Sequence, residues 1–240
     1  MQAKLDVGDV IRRVFGIYVD QASVLMPAAA AVFVLTGIVT ALLVTSSAAL
    51  GLLGLLISLL ATTLFTGMIV ELVADIRDGR RDASVGGLLR AATPVLGQLV
   101  LVGFVAAVCI VLGLILLIVP GVILITIWSV AAPVVVLERP PGLQALSRSR
   151  ELVRGNGWQV FGAILVLIIM VAVVSRAIEL GAESAGAGAG LAVTVILGVL
   201  TAPISALAQA VLYFELLEVR GEATATPSAP APDPRPDIGL

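Results

Sequence analysis

Residues 24–46 carry no charged side chain over 23 consecutive positions, and this run is one of about six along the chain. A helix rises ~1.5 Å per residue, so ~20 apolar residues cross a hydrocarbon layer ~30 Å thick. The fold class that follows is all-α: a polytopic membrane protein with about six transmembrane helices. Composition agrees, because 60% of the residues are apolar and only 12% charged, whereas soluble domains carry about 25% charged residues.

The pattern predicts spans at 23–46, 49–73, 99–119, 121–137, 157–178 and 190–214. The fourth is short: residues 122–137 supply ~24 Å of helix. The sequence Val119-Pro120-Gly121-Val122 suits a tight outer turn that makes spans three and four a complete hairpin. A single kinked segment re-entering the membrane is the alternative. Kinks are expected at Pro27, Pro133 and Pro203.

Positive charge fixes the orientation. All of the 14 Lys and Arg except Arg176 fall in segments predicted on one side. The positive-inside rule puts that side, with both termini, in the cytoplasm. Asp6, Asp9, Arg12, Arg13 and Asp20 interrupt the first 20 residues, so no cleavable signal is read there. Abundant Ala, Val, Leu and Gly, with arginine nearly replacing lysine, point to a high-GC bacterium and thus to a cytoplasmic (inner) membrane. The glycine-rich loop 181–190 lacks the G-x-G-x-x-G spacing of a dinucleotide site. Residues 221–240, with five prolines, read as a disordered cytoplasmic tail.

A repeat precedes spans one, three and five. Val7, Val10, Ile11, Val14, Ile17 and Tyr18 share one helical face, and Gly142, Ala145, Leu146, Ser149, Leu152 and Val153 repeat the spacing. Ser84, Gly87, Leu88, Ala91, Pro94 and Val95 are a weaker copy. Arg13, Arg90 and Arg148 hold equivalent places on the opposite faces. The membrane domain, 1–220, therefore reads as three units, about 6–78, 84–138 and 142–220, each an amphipathic helix followed by two spans. Such helices are expected in the plane of the membrane surface, their arginines among anionic head groups.

Chemistry-bearing residues are few. There is no histidine, and the lone Cys109 lies in an apolar run as a packing residue, so no internal disulfide or Cys/His metal cluster forms. Net charge is −2, which supplies no field for nucleic acid. The carboxylates are scattered, and no P-loop, G-x-S-x-G or H-E-x-x-H is present. The expectation is no enzyme, no catalytic residue, no metal and no cofactor. Glu71, Glu215 and Glu218 stand at inner span ends, and Arg176 with Glu179 forms an i,i+3 pair at an outer end. Among uncharged polar residues inside spans, Gln209, Thr66 and Thr126 are the candidates for a polar path, with interhelical hydrogen bonding as the simpler role. Trp128 reads as a packing residue, and Trp158 as an inner aromatic anchor.

One stretch is more specific. Leu117-Ile118-Val119-Pro120-Gly121-Val122 is followed by Ala132-Pro133-Val134-Val135-Val136-Leu137-Glu138, then by Ala145-Leu146-Ser147-Arg148-Ser149, Leu152-Val153-Arg154-Gly155-Asn156-Gly157-Trp158 and Val160-Phe161-Gly162. This stretch resembles the family of the membrane domain of glycerophosphoryl diester phosphodiesterase and the related YciC-like inner-membrane proteins. In some members the resemblance implies a fused soluble catalytic domain; residues 221–240 are too short and too proline-rich to be one, so the enzymatic part of the name does not transfer. The motif also has a physical reading: Glu138 ends span four beside Arg148 or Arg154, forming a structural clamp (Glu138, Arg148) or, alternatively, a head-group site.

The function that follows is a non-enzymatic integral membrane module, scaffolding, regulatory or lipid-associated. Its partners would be membrane lipids, or a cytoplasmic or membrane protein, met through Arg148, Arg150 and Arg154. A small-molecule or lipid transporter is the alternative.

Overall fold

The computed structural model describes residues 5–46, 48–79, 85–183 and 189–222. These form α1 (Val7–Asp20), α2 (Ala22–Ser46), α3 (Ala48–Arg77), α4 (Val85–Ala92), α5 (Leu96–Leu116), α6 (Ile118–Ile127), α7 (Ala131–Pro133), α8 (Gln144–Val153), α9 (Gly157–Glu183) and α10 (Ala189–Arg220), with no strand among the described residues. A 3-10 turn at Thr93–Val95 leads into α5, and a π-helical turn at Val134–Glu138 prolongs α7. Six stretches are long and apolar enough to cross a membrane: Ala22–Leu43, Leu56–Arg77, Thr93–Leu116, Ile118–Glu138, Gly157–Leu180 and Ala192–Arg220. The protein is an all-α, multi-pass membrane protein. Ser84, Arg80, Arg81, residues 184–188 of the glycine-rich loop and the tail from 223 onward lie outside the described residues.

The two ends of the bundle differ. Buried side chains gather where the arginines are, with Phe65, Ile69, Leu152, Leu207, Leu212 and Leu216 all but inaccessible. Toward the other end the spans present bare apolar surface, and Leu116, Leu117, Ile118 and Val119 are 66–75% exposed. In lipid such surface needs no protein cover.

The amphipathic helices form, and in two of them the apolar face is covered by other helices of the protein. Asp6 caps α1 by accepting from the Gly8 N–H at 2.8 Å. Val10 and Val14 on its apolar face are fully buried, and the helix packs chiefly against α9 and α10. In α8 the face Ala145, Leu146, Ser149, Leu152 and Val153 is buried throughout, against α10 and span four. The apolar stripe that would have entered the head-group region is taken up by protein. The middle copy is shorter: α4 ends at Ala92, and Pro94 sits in the 3-10 turn.

The outer turn is also displaced. The chain reverses at Leu117, whose backbone is extended (φ −158°, ψ 130°), and not at Pro120-Gly121. Pro120 is the third residue of α6, where its missing N–H would have had no helical partner. Gly121 serves packing instead: a Cβ there would lie 2.4 Å from Leu114 Cγ and 2.7 Å from the Leu114 nitrogen. The pair Gly113 and Gly121 thus lets α5 and α6 approach closely, as small residues do between membrane helices.

Span four reaches Glu138 but is not one continuous helix. It stops at Ile127, turns at 128–130 and resumes at Ala131. Pro133 has no N–H, and its ring crowds the carbonyl four residues back, that of Ser129. The Ala131 N–H bonds to the Trp128 carbonyl at 3.1 Å, which leaves the Ile127 carbonyl free of its usual helical donor. The Ser149 hydroxyl of α8 donates to that carbonyl at 2.9 Å. Pro27 and Pro203, by contrast, lie within unbroken α2 and α10.

Candidate functional site

Span four ends with Arg139 in a left-handed conformation (φ 49°), its N–H bonded to the Val134 carbonyl at 3.2 Å. The following turn is held by the Gln98 amide of α5, which donates to the carbonyls of Pro140 and Gly142. This returns α8 beneath the span and places Arg148 beside Glu138. Arg148 Nε donates to Glu138 Oε2 at 2.9 Å and Oε1 at 3.3 Å. The Tyr213 hydroxyl of α10 donates to Oε1 at 3.0 Å, and Arg148 also donates to Glu222, just past the end of α10. Burial alone would lower the Arg148 pKa; its hydrogen bonds to Glu222 and Glu138 outweigh that and hold it above the ordinary arginine value.

The end of α10 is a second knot. Gly221, at φ 70°, lets the Glu222 N–H reach back to the Leu217 carbonyl at 2.9 Å. Arg220 then donates to the carbonyls of Glu151, Leu152 and Arg154, adding donors at the C-terminus of α8. Two further pairs tie α10 to its neighbours. Arg13 Nε lies 2.9 Å from Glu215 Oε1, off the N–H direction, and Arg77 pairs with Glu218 while its guanidinium stands 4.6 Å from the centre of the Phe214 ring. Arg139 lies 3.9 Å from Glu71. At the opposite end Arg176 and Glu179 pair at 2.8 Å, both solvent-accessible.

The three α8 arginines are therefore sorted. Arg148 is half-buried and held by carboxylates. Arg150 and Arg154 are exposed, and their guanidinium groups have no partner among the described residues, as is also true of Arg90 on α4. The span-interior candidates do not come together. Thr66 Oγ1 donates to the Thr62 carbonyl and Thr126 Oγ1 to the Val122 carbonyl, each at 2.9 Å within its own helix. Gln209 lines a cavity that neither threonine reaches. Hydroxyls that can satisfy themselves on the preceding turn have no need of a shared path.

Sequence reasoning did not single out Tyr213, Gln98, Arg220 or Glu222. Tyr213 was the most findable, a phenol two residues before Glu215 near the charged end of a span. Gln98 and Glu222 act on partners 42 or more positions away, which helical periodicity does not reveal. Trp158 is 83% exposed at the start of α9, with its ring edge-on to Phe161, as suits an interface anchor.

Six apolar spans bound at one end by an arginine–carboxylate lattice define a polytopic α-helical membrane protein without a soluble domain among the described residues. Residues 86–217, more than half of the chain, match the family described as a domain of unknown function, DUF8558, and the chain belongs to that family. No curated protein and no solved structure matches it.

Proposed function

We propose that the protein is a non-enzymatic module of the bacterial cytoplasmic membrane that gathers anionic lipid around its arginine-bearing end, with that end and both termini in the cytoplasm. The observation that carries this reading is the sorting of the arginines. Arg13, Arg77, Arg139, Arg148 and Arg220 are occupied by protein carboxylates or carbonyls, while Arg90, Arg150 and Arg154 point outward without partners among the described residues. Arg150 and Arg154 stand on a helix fixed from below, so they are offered on a rigid support. The lattice supports a binding role over catalysis for a related reason: Glu71, Glu138, Glu215 and Glu218 each face an arginine and hold helices together. The likeness of 117–162 to the membrane domain associated with glycerophosphoryl diester phosphodiesterase fits a stand-alone membrane module, and we carry over the layout and no activity.

Native mass spectrometry of the protein in lipid particles, beside an Arg150→Gln/Arg154→Gln variant, tests the reading. Each arginine near an anionic surface contributes about 1 kcal/mol, so loss of both lowers retention of phosphatidylglycerol up to ~30-fold. Equal retention in both proteins overturns the lipid reading. A soluble protein retained by the wild type alone moves the function to protein docking.

The transporter reading draws on the cavity beside Gln209. It has less support, because Thr66 and Thr126 are bonded within their own helices and line no path with Gln209.

A further inference from the structure

A cavity of about 490 Å³ lies between α5, α6, α9 and α10, at the level where span four is broken. Ile110, Leu167, Ile168 and Leu212 stand for its walls, which are predominantly apolar, and no charged side chain lines it. Every lining residue belongs to a stretch long and apolar enough to span a membrane, so the cavity lies at membrane depth. Its polar groups are Ser129, Ser205 and Gln209. Ser205 Oγ turns back to the Thr201 carbonyl at 3.5 Å. Ser129 Oγ is different: it is shut off from the surface and makes no hydrogen bond. The Gln209 amide likewise has no partner among the described residues.

An amide and a hydroxyl left without partners at an apolar cavity within the spans are costly, and a helix break next to them adds to that cost. A bound group that supplies the missing hydrogen bonds removes it. The walls select the rest of the molecule. A charged head would lose its hydration and meet no countercharge, whereas a long apolar chain would cover the isoleucines and leucines. The volume falls in the range of about 300–1,000 Å³ typical of small-molecule sites. We propose that this cavity binds a neutral, membrane-dissolved amphiphile, a long apolar chain bearing one hydroxyl or carbonyl oxygen, with the Gln209 amide holding the oxygen and the Ser129 hydroxyl joining it by rotation about its χ1 toward the cavity. The site is separate from the exposed arginines, and its test does not use them.

The full chain in lipid particles is photolabelled with a long-chain alcohol carrying a diazirine and an alkyne, and in parallel with the matching hydrocarbon that lacks the oxygen. Labelled positions are mapped by mass spectrometry. The wild type should take the alcohol several-fold more than the hydrocarbon at 164–172 and 204–212. In Ser129→Ala/Gln209→Leu the preference should fall to about one, while hydrocarbon labelling persists and reports that the cavity is still formed. Equal labelling by both probes in the wild type overturns the proposal. An alcohol preference that survives the double substitution overturns the assignment to Ser129 and Gln209. If the variant loses hydrocarbon labelling too, the single Gln209→Met, which keeps the side chain's length and removes its amide, decides: the alcohol preference must fall there, and its persistence overturns the proposal.

Discussion

Span four and α10 each carry a proline inside the membrane, and only span four breaks there. Around Pro203, α10 runs from Ala189 to Arg220 without interruption. Before Pro133 the helix stops at Ile127 and restarts at Ala131. Both prolines remove a donor and crowd a carbonyl, so the ring alone does not account for the difference. What differs is the neighbour. In span four, α8 brings the Ser149 hydroxyl to the released Ile127 carbonyl. Near Pro203 the Thr201 and Ser205 hydroxyls serve carbonyls of α10 itself, and the one hydroxyl from elsewhere, Tyr18, donates to the Leu200 carbonyl at 3.1 Å. A helix comes apart in lipid where another element supplies the donor that a carbonyl has lost from its own turn, as Ser149 does for Ile127, and not merely where an outside hydroxyl adds to it.

The comparison can be broken most forcefully at the glycines. Gly121→Ala should have the largest effect, because its Cβ would meet Leu114 backbone as well as side chain and push span four from α5. We expect about 3 kcal/mol of lost stability, read as a lowered unfolding midpoint in detergent. Next comes Ser149→Ala, which leaves the Ile127 carbonyl without its donor at a cost of about 1–3 kcal/mol. In a Pro133→Ala background, where the helix can close on itself, the same change should cost much less; an undiminished cost would refute the account of the break. Glu138→Gln and Arg148→Gln should each remove about 1.5–2 kcal/mol, and the double variant little more, whereas additive losses would show that the two residues act separately. The smallest effect belongs to α10. Gly198→Ala brings a Cβ to 2.8 Å from the Phe33 ring, a side chain that can rotate away, so the loss should stay near 1 kcal/mol.

The spans and the charged ends were legible because each rests on a local signal. Length and absence of charge defined the uncharged run of α2, and the i, i+3, i+4 face of Val10 and Val14 defined α1. The Pro120-Gly121 pair misled because proline and glycine signal a turn in isolation, whereas proline suits a helix's first turn and glycine suits helix contact. The surface helices were recognised as amphipathic, but the medium that covers their apolar stripe was not, since periodicity is the same for lipid and for protein. Within the site, Glu138 and Arg148 are ten positions apart and carry opposite charge, which made their meeting readable. Tyr213 and Glu222 join them from 75 and 74 residues away, and only the packing of α10 brings them there. Gln209 was noticed for its amide and a kink was expected at Pro133, but that Ser129 and Gln209 border one cavity depends on how the spans pack.

The buried face of α1 bears on the order of manufacture. Val10 and Val14 leave the ribosome well before α9 and α10, whose surface closes over them. Arg220 must likewise emerge before the C-terminal carbonyls of α8 are capped. At ~5–20 residues per second, roughly 10–40 s separate the first helix from its cover. For that interval the nascent chain holds an open apolar stripe beside the insertion machinery, and a product cut short before α10 would leave both α1 and α8 unsealed, marked for quality control by the same face that later closes the molecule.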